Sequence, residues 1–136
     1  MRLLLDTHAL LWWLDGDPKL SGNAKSAIED GANEILVSAA SAWEIATKVR
    51  IGKLPDAVYV AEHLPDVIAD QEFRSLPISL IHARRAGLMA GMHRDPFDRM
   101  LIAQALMEGL ILVSSETLFD GFGVERLWSE KGSEPF

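Results

Sequence analysis

Cysteine is absent from the 136-residue chain, which excludes disulfides and thiolate metal sites and leaves no sign of an oxidising compartment. No apolar run approaches the roughly 18 residues of a membrane span. The start, MRLLLDTHALLWWL, is broken by Asp6 and His8, and no small-residue cleavage site follows it. A cytoplasmic location without a membrane partner is the expectation. Excess basic charge is missing as well: a net charge of -7 and a pI near 5.0 argue against gripping nucleic acid by bulk electrostatics, so any such contact must be local. The glycine patterns of nucleotide-binding loops are absent, and His8, His63, His82 and His93 show no paired spacing for zinc. What is present is a chain with 49% hydrophobic residues, sized for one domain with a full core, read as residues 1–128 followed by a tail over 129–136.

Strand and helix signals alternate along that domain. Apolar runs at residues 2–5, 34–38 and 110–114 predict strands, with weaker ones at 73–78 and 124–128. Helices are expected from Asp6 to residue 14, after Ser21, over 41–50, over 58–71 with a kink or break at Pro65, over 79–88, and from Asp95, where Pro96 supplies a good first helical position. Strands apolar on both faces and separated by helices imply an α/β domain with a central parallel sheet and right-handed crossovers. In such sheets, sites form at the carboxyl ends of the strands.

Acidic residues gather at that edge. Asp6 ends the first strand, Glu44 falls in the first turn of the helix after the second, Asp95 and Asp98 open the helix before the fourth, and Glu116 follows the fourth. Each has an ordinary explanation. Asp6 and Asp95 can cap helices, Ser41 to Glu44 matches a capping box, Glu44 can pair with Lys48 one turn on, and Glu116 can sit solvated at a helix start. Asp98 resists this treatment, because steps of three, four and seven lead from it to Leu101, Ile102 and Ala105, and a carboxylate heading an apolar stripe needs a partner. Several carboxylates pushed together call for a cation, and magnesium or manganese fits oxygen donors and phosphodiester hydrolysis. Lys48, Arg50, Lys53, Arg84, Arg85, Arg94 and Arg99 lie near these acids in sequence, either as solvated faces or as contacts to an RNA backbone.

Two other readings compete. A strand ending in Asp6 suits a phosphoacceptor domain of the receiver or haloacid-dehalogenase type, although the latter wants a second aspartate where His8 stands. A non-catalytic binding module is the other, with Trp12 or Trp13 left partly exposed for a partner.

Three stretches in order, DTHALLWWL from Asp6, SAASAWEIATKVRIGKL around Glu44 and HRDPFDRMLIAQA around Asp98, resemble PIN-domain ribonuclease toxins of the VapC type, in the subgroup with a DPFDR motif. The resemblance implies a three-layer α/β/α fold, a magnesium- or manganese-dependent endoribonuclease site, a cognate antitoxin and a toxin homodimer or larger assembly. It maps the family acids onto Asp6, Glu44 and Asp98, which would hold metal, with Asp95 as the extra aspartate of the subgroup. The fourth acid usually follows a strand as Thr, any residue, Asp. Here the stretch is Ser114, Ser115, Glu116, so Glu116 is a departure. Thr7 and Ser114 are expected to orient a carboxylate or water, and Arg99 to stand near substrate.

Overall fold

The protein is described by a computed structural model over residues 1–91 and 95–129; His93 and Arg94 of the sequence reading, and the expected tail from residue 130, lie outside the described residues. Strands β1 (Arg2–Leu5), β2 (Glu34–Ser38), β3 (Arg74–Leu76), β4 (Ile111–Val113) and β5 (Arg126–Leu127) form one parallel sheet in the order β3-β2-β1-β4-β5. Helices α1 (Thr7–Asp15), α2 (Gly22–Glu29), α3 (Ala39–Arg50), α4 (Val58–Asp70), α5 (Leu80–Leu88) and α6 (Pro96–Glu108) alternate with them, with short 3₁₀ turns at Pro55–Ala57 and Thr117–Phe122.

Strand pleating assigns the core. Leu3 and Leu5 of β1 face one apolar cluster with Ala9, Leu10, Ile28 and Ile45, while Leu4 faces a second with Leu101, Ile102 and Ala105 of α6. Both faces are therefore covered, which gives the expected α/β/α layering. From β1 the chain winds outward to β2 and β3, then returns to lay β4 on the other side of β1. That reversal makes the carboxyl end of β1 a topological switch point, where a crevice opens between diverging connections. Asp6 is the residue that stands there.

Local signals place the elements closely. Ser21 and Ser79 cap α2 and α5, Asp95 caps α6 ahead of Pro96, and α4 loses helical geometry at His63, just before Pro65. One start differs from the reading. Helix α3 begins at Ala39, because Ser38, the last strand residue, turns its hydroxyl onto the Ala40 N–H at 2.9 Å. Ser41 is consequently a buried helical residue and no capping box forms with Glu44, which stands in the second turn.

A buried polar link ties the layers together beneath this edge. The Ser38 hydroxyl donates to Gln104 Oε1 at 2.5 Å, and Gln104 Nε2 donates to the Pro77 carbonyl at 3.2 Å. Gln104 is fully buried. Gln104→Ala should cost about 2–4 kcal/mol, combining a cavity with a buried Ser38 hydroxyl left without its acceptor, as read from urea unfolding midpoints. A loss under ~1 kcal/mol would mean that the link is dispensable.

Candidate active site

Asp6 is held on three sides. As N-cap of α1 its Oδ1 accepts the Ala9 N–H at 2.7 Å, its own N–H donates to the Val113 carbonyl of β4 at 3.1 Å, and the Ser114 hydroxyl donates to its carboxylate. Burial pushes its carboxyl up to about 6 from an ordinary 3.8. The bonds from Ser114 and Ala9 and the charge of His8 oppose the rise, and the negative charge of Asp98 adds to it. Ser114, the residue after β4, and Asp98 of α6 are far from Asp6 in sequence, yet the first bonds it and the charge of the second reaches it.

Glu44 is equally buried but differently engaged. Its Oε1 accepts the Thr7 hydroxyl at 2.6 Å, and its Oε2 takes the Lys48 ammonium at 2.5 Å. Ser41 Oγ lies 3.1 Å from the same Thr7 hydroxyl. Among the described residues no three acidic or histidine side chains converge closely enough to hold an ion by themselves. Both Glu44 oxygens are committed because a lysine one turn along the same helix reaches back to it.

Lys48 links the two halves of the centre. Partial burial works against its charged form, yet the hydrogen bond and charge of Glu44, with further pull from Asp95 and Asp98, leave its pKa above the ordinary lysine value. The charge of Asp98 thus reaches both Asp6 and Lys48, and the chain carries its own counter-charge where a metal-free acidic cluster would repel itself. Lys48→Met should destabilise the protein by about 2–4 kcal/mol at pH 8, since it strands a buried carboxylate, with the partial exposure of the lysine favouring the lower end. Adding Glu44→Gln should recover most of that loss in the same urea titration. Additive losses would show that the two side chains act independently.

The remaining expected residues are placed as follows. Asp95 is half-buried and its Oδ1 caps α6 by accepting the Phe97 and Asp98 N–H groups at 2.8 and 3.1 Å. Asp98 is half-buried in the first turn, so the apolar stripe begins below it, and the costliest carboxylates to bury are Asp6 and Glu44 instead. Glu116 is exposed, and its backbone N–H donates to Ser114 Oγ at 3.0 Å. Arg99 turns toward α5, where its Nε donates to the Ala86 carbonyl at 2.9 Å and its Nη2 to Met89, because helix-end carbonyls attract a cation. Trp12 and Trp13 are both half-buried and partnered, Trp12 between His8 and Trp128, Trp13 against Phe73 with its indole N–H on Gln71. The exposed tryptophan is Trp43, at 62%. Its signal in the sequence is helical phase: the buried stripe of α3 runs through Ala40, Ser41, Glu44 and Ile45, and Trp43 lies off it.

Magnesium is commonly held by one or two carboxylates, completed by waters and substrate phosphate. A half-buried Asp98 beside a buried Asp6 fits that donor set, since a hard dication would relieve the repulsion between them and the desolvation acting on Asp6.

Comparison with known proteins agrees with this geometry. The sequence matches the PIN domain over residues 3–124. Ribonuclease VapC22 of Mycobacterium tuberculosis is 30% identical over 115 residues, covering 84% of this chain and 86% of that protein. Ribonuclease VapC16 of the same organism is 40% identical over 73 residues, an alignment that spans 51% of this chain and only about half, 50%, of that relative. In structure, a chain of VapBC2 from Rickettsia felis, solved bound to a promoter DNA fragment, superposes with a TM-score of 0.69 at 15% identity, covering 93% of this chain and 98% of that one, a likeness of fold. Among the described residues no helix is long and apolar enough to cross a membrane. The near-complete family match, the relative shared over most of its length and the parallel sheet with Asp6 at its switch point together show that this chain belongs to the PIN domain family.

Proposed function

We propose that the chain is a magnesium- or manganese-dependent endoribonuclease, the toxin of a type II toxin-antitoxin module, acting in the cytoplasm. The observation that carries this reading is the pairing of Asp6, buried at the switch point, with Asp98 from α6, in a PIN-domain chain whose relatives are named ribonucleases. A divalent cation bound there would supply a positive centre for a phosphoryl oxygen and lower the pKa of water. Asp6 and Asp98 would hold it. Glu44 would act mainly through its neighbours, fixing Thr7 and holding Lys48, whose ammonium has donors left to meet an incoming phosphate. Asp95 and Glu116 would complete the acidic rim, and Asp95 to Arg99 would place the chain in the DPFDR subgroup. Arg50, Lys53, Arg84 and Arg85 would add backbone contacts that read no sequence. A cognate antitoxin and a toxin homodimer are part of the same proposal, supported by likeness of fold to a VapBC chain. Residues 1–128 would form the catalytic domain and 129–136 its tail.

The test is to express the chain and Asp98→Asn from a tight promoter in bacterial cells and map new RNA ends within minutes of induction. Discrete ends made by the parent and not by the variant are expected. Identical ends from two folded proteins would turn the reading down in favour of a binding module.

A further inference from the structure

Of the four tryptophans only Trp43 is exposed, at 62%, and it stands immediately before Glu44 on α3. Its ring meets Phe97 edge to face, with centroids 5.0 Å apart and planes at 79°. Phe97 in turn stands immediately before Asp98 on α6. The two aromatic residues thus bridge α3 and α6, the helices that carry Glu44 and Asp98. Beside them opens a cleft of about 180 Å³ walled by Ile78, Ala86, Pro96 and Met100.

Leaving a tryptophan in water forgoes burial of a large apolar side chain, and beside three half-buried tryptophans this one keeps a ring face open to a ligand. Two ligand classes suit a free indole face: an unpaired nucleobase and a protein side chain. Position favours the base. The contact of α3 with α6 that sets Trp43 on Phe97 also brings Lys48 of α3 within the charge of Asp95 and Asp98, so a planar group resting on Trp43 lies at the same helix junction as the phosphate those groups would receive. The Phe97 edge holds the indole at a fixed tilt, which lowers the entropy lost on stacking.

We propose that Trp43, braced by Phe97, is the stacking platform for an unpaired base next to the scissile phosphate of an RNA substrate, a positioning and specificity residue that basic side chains alone would not provide. This rests on the ribonuclease reading for its substrate class, but its test does not need cleavage. In the Asp98→Asn background, affinity for a short unstructured RNA is measured by fluorescence anisotropy, with and without Trp43→Ala or Trp43→Phe. Base stacking on an aromatic side chain supports an expected loss of about 5- to 150-fold for alanine, with phenylalanine retaining most of the affinity. Walking a single abasic site along the RNA should find one position that weakens the tryptophan protein by a similar factor and leaves the alanine variant unchanged. With Asp98 intact, Trp43→Ala should raise KM and change kcat little. Unchanged affinity together with no abasic-sensitive position would overturn the proposal, and weakened self-association in the same variant would reassign Trp43 to a protein interface. RNA binding that depends on Trp43 in a chain that cuts nothing would uphold the platform while the nuclease reading fails.

Discussion

Asparagine in place of Asp98 should slow RNA cleavage by about 10²- to 10³-fold or more and leave the fold intact. The substitution keeps the shape of the side chain and removes a negative charge that reaches both Asp6 and Lys48. Loss of a single electrostatic contact aimed at developing charge has that scale of effect on a chemical step. Stability should barely follow. Asp98 sits half-buried in the first turn of α6, where a carboxylate gains only about 0.3–1 kcal/mol from the helix dipole, and the repulsion it exerts on Asp6 disappears with it. Single-turnover cleavage with magnesium, beside a thermal melt of each protein, separates the two effects. A rate within tenfold of the parent from a folded variant would remove Asp98 from the catalytic machinery.

Asp6→Asn should likewise inactivate the protein, yet in the absence of divalent cation it should make it more stable at pH 8. The sign follows from the raised carboxyl. The unfolded chain loses this proton near 3.8 and the folded one near 6, so between those values the unfolded state binds fewer protons and stability falls as pH rises. The full loss, about 3 kcal/mol, persists above pH 6. Asparagine cannot titrate, caps a helix as well as aspartate, and offers an N–H to Ser114 Oγ in exchange for the bond it received. In chelator at pH 8 the variant should therefore melt about 10 °C higher, and the difference should vanish near pH 4. Added magnesium should then stabilise the parent and not the variant, because a ligand that binds only the folded parent shifts only its equilibrium. A variant that melts below the parent at pH 8 in chelator would mean that Asp6 is not held at a cost. Such a cost is what a charge kept ready for a cation looks like before the cation arrives.

Much of this centre can be read along the chain. Asp95 before Pro96, Ser21 and Ser79 at helix starts, and Glu34 to Ser38 as a strand all appear in the structure where their local chemistry places them. These are decisions taken within a few residues: a side-chain oxygen reaching an N–H two or three positions on, or a ring closing φ. The start of α3 is less legible because two serines compete for it. Ser38 wins by virtue of ending a strand that already aims the chain, and Glu44 shifts from a capping position to a buried one. The tryptophans show the same limit. The adjacency of Trp12 and Trp13 suggests that one stays partly exposed; in the structure both are half-buried, against Trp128 and Phe73 from distant parts of the chain, while Trp43 stays open.

By itself, then, the sequence determined the alternation of strands and helices, the apolar faces that demand a two-sided parallel sheet, and the set of acids at one edge of it, because periodicity and capping act over short separations. Only the tertiary structure decided which carboxylates are costly to bury and which are satisfied. The Asp6 carboxyl is raised by burial, Glu44 accepts the Thr7 hydroxyl of α1 in addition to the Lys48 pairing its own helix already offered, and Glu116 is left in water. Those differences arise from desolvation and from partners as far apart in sequence as Asp6 and Ser114, which no local pattern contains.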